Sequence, residues 1–253
     1  MSLRAFALLT GWLLLSWCPS LRADPMPLSD AERSGLQNQL QSRLAAATRT
    51  IEMEPDGISG WSSRGDARFF LGNFDGAVAD YSEMVDLSPA LDASHWRRGI
   101  AYFYAGNYEE AAGQFERYHS YDNVDRENGI WRYLSQFKAY GRDRAREGLL
   151  KYEKDDRQPF PDVYRLFAGA ITPEQILANI AAADIPDHER NKRFFYAHLY
   201  IGLNHAVEGD EAAARTHLAK AVSNSWPRRA GYGPNYMWHV ARLHHDQLAA
   251  KSP

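Results

Sequence analysis

Apolar residues recur along this chain at helical intervals. The first clear stripe is Leu36, Leu40, Leu44, Ala47 and Ile51, spaced by three and four in an otherwise polar segment, which predicts one amphipathic helix. Ser29-Asp30-Ala31-Glu32 is a capping box placed to start it. A single stripe must be covered, and two covers are open: the helices that follow in the chain, or a second copy of the protein. Beyond residue 57 the stripes come in pairs separated by Gly-Asn. Gly65, Gly72, Asn73, Phe74, Ala77 and Tyr81 return 34 residues later as Gly99, Gly106, Asn107, Tyr108, Ala111 and Phe115. Small residues at Gly65/Gly99 and Ala77/Ala111 let two helices approach, and Trp61, Tyr81 and Phe115 fill the space between pairs. Gly-Asn closes the first helix of each pair, because both tolerate the left-handed conformation. Ser88-Pro89 stops the first pair.

A period of 34 with these residue types is the signature of the tetratricopeptide repeat, a helix-turn-helix unit that buries its apolar face only by stacking on its neighbours. The predicted fold is therefore all-α: a helical solenoid of stacked pairs with an extra amino-terminal helix (24–56) and a carboxy-terminal capping helix (233–250). Clear repeats span 58–91 and 92–125, within a helical domain over 57–253. A degenerate pair follows at 126–157, built from Ile130 to Tyr140, then Gly141, then Ala145 to Leu150. Pro159 and Pro161 break the period, so irregular helices are expected over 158–186, one of them started by the cap Thr172-Pro173-Glu174-Gln175. Gly202, Gly209, Ala214, Leu218 and Ala221 restore the pattern over 187–226.

Residues 1–23 read as a targeting segment. Arg4 precedes a largely apolar run from Ala5 to Trp17, and Pro19 to Ala23 offers a cleavable stretch, so the chain is expected to be exported. The run is too short to serve as a permanent membrane span. Cys18 is the single cysteine and falls inside this segment, so the mature chain is expected to hold no disulfide, catalytic thiol or cysteine-bound zinc. The formal net charge of −3 and the lack of a basic arm argue against nucleic acid.

The inward positions of the first helix in each repeat are Ser62, Asp66 and Phe69, then Trp96, Arg97, Ile100, Phe103 and Tyr104. They are not a carboxylate clamp of the chaperone-binding kind, which needs Lys and Asn where this chain has Ser62 with Asp66 and Trp96 with Ile100. The aromatic set suits an extended or apolar peptide, with Arg97 available to a carboxylate. The same aromatics could instead pack between repeats or beneath the amino-terminal helix, and the pattern leaves both readings open.

No constellation for catalysis stands out. His239, His244, His245 and Asp246 share the last helix, but adjacent His244 and His245 diverge by about 100° and cannot chelate one ion. His198 and His205 are seven apart with no supporting carboxylate. Glu109-Glu110 and Asp155-Asp156 read as helix starts and solvated faces. No cofactor or metal is expected, and the function class is protein binding, as an adaptor or as a scaffold of some other envelope complex; a metal-dependent hydrolase using the carboxy-terminal histidines is the alternative from another class.

Longer runs carry a closer resemblance. Arg98 to Gly106, Ile130 to Gln136, Gly169-Ala170-Ile171-Thr172-Pro173-Glu174-Gln175, Phe195-Tyr196, Gly202 and Gly209-Asp210 follow in an order that resembles the bacterial NlpI lipoproteins. That resemblance implies an envelope protein with tetratricopeptide-like helices, homodimeric, acting as an adaptor that brings murein hydrolases to a periplasmic protease or gathers them for cell-wall synthesis. It also implies a lipid on a cysteine after a small residue. Here Trp17 stands before Cys18, so the expected location is the periplasm, with membrane association only if Cys18 is lipidated.

Overall fold

A computed structural model describes residues 27–251; the expected targeting segment 1–23, Cys18 included, lies outside the described residues. Among the described residues there is no strand, and the protein is an all-α helical repeat solenoid. Its helices are α1 (Asp30–Met53), α2 (Ile58–Phe70), α3 (Phe74–Leu87), α4 (Trp96–Ala105), α5 (Tyr108–Tyr121), α6 (Arg126–Tyr140), α7 (Arg142–Glu147), α8 (Phe160–Phe167), α9 (Pro173–Ala182), α10 (Asp187–Glu208), α11 (Glu211–Ser223) and α12 (Tyr232–Ala250).

The capping box at Ser29 and Glu32 starts α1, with both reciprocal hydrogen bonds present. Leu40, Ala47 and Ile51 are buried, Leu36 and Leu44 half-buried. Their cover lies within the chain: α1 packs on α2, where Gly60 lets Ile51 come so close that a Cβ would sit 2.8 Å from its Cγ1.

Three helix pairs are locked by one device. A Cβ on Gly65 would lie 2.5 Å from the Tyr81 ring, one on Gly99 2.7 Å from the Phe115 ring, and one on Gly202 2.8 Å from Leu218. In each pair the glycine and its partner are 16 residues apart, so α2/α3, α4/α5 and α10/α11 share one packing geometry. Gly72, Gly106 and Gly209 end the first helices with φ near +85°, as the Gly-Asn and Gly-Asp signals require.

The second repeat departs from strict periodicity at its start. Its first helix begins at Trp96, after a 3-10 turn at Pro89–Leu91, and His95 caps it by accepting the Arg98 N–H on Nδ1 at 3.2 Å. The guanidinium of Arg98 bonds Asp92 and Gln114, and Gln114 donates to the Asp92 carbonyl at 2.6 Å, so a side chain takes up a backbone group that no helix pairs there.

The last helix packs on the final pair as the expected capping helix, and it reaches further. A cap over the open end would touch only the final pair, yet α12 packs on α11 and also reaches α2 across the inner face of the stack. Its own sequence drives this, because Tyr236, Met237, His239, Val240 and Leu243 are apolar or aromatic and need burial on more than one side.

Candidate functional site

The eight residues expected to form a binding groove do share the inner face of α2 and α4, but α12 lies on most of them. Tyr236 stacks on Phe69 at 5.1 Å between ring centroids, and His239 stacks on Phe70 at 3.8 Å. Asp66 accepts the Tyr232 hydroxyl at 2.6 Å, and Arg97 donates to Asp66, to Ser62 and to the Tyr232 oxygen. Tyr104 pairs with His244 at 3.1 Å. Phe69, Ile100 and Phe103 are buried. Of the expected groove residues, Asp66, Phe69, Arg97 and Tyr104 are thus covered by α12, Ser62 is joined to it through Arg97, and Phe103 packs on Tyr108 and Trp131. Packing between repeats accounts for part of the set, since Phe69 meets Tyr104 and Phe103 meets Trp131, and α12 covers the rest. The aromatic surface of α12 has no other place to be buried.

What α12 leaves open lies further along the same face. A cavity of about 460 Å³ is bounded by Trp96 and Ile100 of α4, Glu127, Asn128 and Trp131 of α6, Lys192 and Tyr196 of α10, and Gly233, Pro234 and Met237 of α12, with Tyr118, Asp125, Arg157 and Trp226 completing it. Of the expected groove residues, Trp96 and Ile100 line it. Three tryptophans and two tyrosines are among its fourteen lining residues.

Its floor is ionic. Arg157 is gripped by three carboxylates: Asp125 at 3.1 Å, Glu127 at 2.5 Å and Asp156 at 3.2 Å, and its guanidinium lies 4.2 Å from the centre of the Phe160 ring. Glu127 also accepts the hydroxyl proton of Tyr200. Asp125 caps α6 by accepting the Glu127 N–H. Burial pushes the Glu127 carboxyl up to about 7 against the pull of Arg157, and Asp125 pushes it the same way. Burial raises Asp125 as well, again against Arg157. Tyr118 is pushed up to about 12 by burial, then by Asp125. The common cause is a group of negative charges with little water and one shared cation. On the wall, the Trp131 indole N–H has no hydrogen-bond partner.

Asp156 overturns its expected role. Instead of standing on a solvated face, its side chain is 6% exposed, accepting the N–H groups of Arg126 and Arg157. Sequence reasoning also passed over Asp125, Glu127, Arg157, Lys192 and Trp226. Asp125 and Glu127 resemble an ordinary helix start, and the five come from four separate segments that only the superhelix brings together.

The histidines of the last helix go to separate places, while His198 and His205 both meet His217. His239 faces Phe70, His244 faces Tyr104, and His245 lies beside Asp246. His198 and His217 meet at 3.0 Å between α10 and α11. Among the described residues no group of three histidine or acidic side chains is placed to hold a metal ion, and no helix is long and apolar enough to cross a membrane. Compared with models of known protein families, the chain matches none.

Proposed function

We propose that this protein is an exported adaptor of the tetratricopeptide kind, similar in role to the NlpI-like envelope proteins, and that it holds a segment of a partner protein in the cavity between α4, α6, α10 and α12. One observation carries the reading: an aromatic cavity of about 460 Å³ stands open on the inner face of a repeat stack, the surface through which such solenoids bind ligands. Trp, Tyr and Arg, the types that most often dominate binding energy, line it together. Export rests on residues 1–23 and the adaptor role on the resemblance of the runs between Arg98 and Asp210.

The test is capture from an envelope fraction, comparing wild type with Trp226→Ala and with Glu110→Ala on the exposed outer face. Removing Trp226 should reduce recovery of the captured partner at least about tenfold, corresponding to about 1.4 kcal/mol, while Glu110→Ala recovers it as wild type does. Equal recovery by a folded Trp226→Ala protein would mean that the partner docks elsewhere.

A further inference from the structure

We propose that the cavity recognises a basic side chain, lysine or arginine, presented by the partner segment. The inference rests on the adaptor reading above and adds the chemistry of what the cavity selects.

The argument is one of charge balance and wall chemistry. Two cations line the cavity, and both are already engaged: Arg157 by Asp125, Glu127 and Asp156, and Lys192 by Glu189 at 3.2 Å. Three carboxylates around one guanidinium leave the floor with surplus negative charge. Burial, and after it the neighbouring carboxylates, raise Glu127 and Asp125 against the pull of Arg157, so a further cation here would relieve a cost that the one guanidinium leaves. A second cation arriving at Asp125 and Glu127 would ionise Glu127 and complete the pairing. The walls suit the same guest. Trp96, Trp226 and Tyr196 line the cavity beside these carboxylates, and aromatic walls can hold an aliphatic stem and its charged head. Arg157 already shows that this neighbourhood accepts a cation over a ring, at 4.2 Å from Phe160. An anionic guest would face the surplus carboxylates, and a purely apolar one would leave them unmatched.

The experiment titrates the full described chain with three probes: an acetylated, amidated Ala-Lys-Ala tripeptide, its norleucine counterpart, and free 1,5-diaminopentane. Tryptophan fluorescence and calorimetry read binding. The lysine peptide should bind at least about tenfold more tightly than the norleucine peptide, and the preference should shrink as salt rises. The double variant Asp125→Asn, Glu127→Gln keeps a competent helix cap and the neutral shape of Glu127. With circular dichroism confirming its fold, it should lose the preference. Equal binding of the lysine and norleucine peptides would overturn cation recognition while leaving the adaptor reading in place. Diamine binding as tight as the lysine peptide would overturn a protein side chain as the guest. If no peptide binds and Trp226→Ala still captures the partner, the adaptor cavity itself fails.

Discussion

At the scale of single residues, the glycines between paired helices carry the sharpest consequences. Gly65 and Gly99 meet the rings of Tyr81 and Phe115, both 0% exposed, so an added methyl has no free space into which the ring can turn. Gly65→Ala and Gly99→Ala should each cost about 1–3 kcal/mol through overpacking. Gly113, in the second helix of the same pair, has an added Cβ no nearer than 3.6 Å from the flexible end of Arg117, so Gly113→Ala should be neutral or stabilise by about 0.5–1 kcal/mol. Chemical denaturation of the three variants distinguishes the sites; equal effects would contradict the pairing.

Titrating residues give a second, opposed pair of effects. Burial holds His95 and His198 down to about 3, and His217 and His244 down to about 4, against an ordinary 6.5. Groups with depressed folded values contribute stability that is present above pH 6.5 and lost as pH falls toward 3–4. Glu127 runs the other way: its folded value of about 7 exceeds the ordinary 4.5, so its contribution is present below 4.5 and lost as pH rises through 7. Melting temperature should therefore fall steadily below pH 6.5. Glu127→Gln should gain on wild type by roughly 2–6 °C between pH 5 and pH 8. A difference between the two proteins that is flat across that range would show that Glu127 is not held protonated.

At the scale of elements, α12 is the departure from a simple repeat array. Tyr236 is fully buried, contacting Phe69, Phe70 and Trp96, with its hydroxyl 3.4 Å from that of Tyr81. Tyr236→Ala should cost about 3–5 kcal/mol, the range for removing a buried aromatic side chain. Tyr232→Phe removes one hydroxyl from Asp66 and Arg97 at a half-open position and should cost about 1 kcal/mol. Comparable losses from the two would mean that α12 is held by its polar contacts rather than by the rings of α2 and α4.

At the scale of the whole molecule, the same helix changes how the stack should unfold. A repeat array held only by neighbour contacts can open from either end. Here Arg242 donates to the Phe70 carbonyl at 2.6 Å and Asp246 pairs with Arg33 at 3.0 Å, so the last helix ties down the first. Unfolding should appear as one transition, with tryptophan fluorescence and circular dichroism coincident. Tyr236→Ala should separate the two curves. Coincident curves in the variant as well would assign the cooperativity to the repeats alone.

The repeat period, the glycine-terminated first helices and the capping boxes at Ser29 and Thr172 were legible in the chain itself, whereas Tyr81 and Phe115, expected between pairs, also meet Gly65 and Gly99 within a pair. These features are local: a left-handed glycine, a cap and a close approach 16 residues apart each depend on residues within one hairpin. Where α12 would lie was not legible, because an aromatic helix at the end of a stack carries no mark of which face it will cover. The cavity was hidden for the same reason. Trp96, Glu127, Arg157, Tyr196 and Trp226 come from separate segments, and Asp156 reads as solvated until the superhelix closes over it. Short-range patterning decided what the elements are. Long-range burial, which depends on total curvature and on where the last helix finds its apolar partners, decided what they leave open between them.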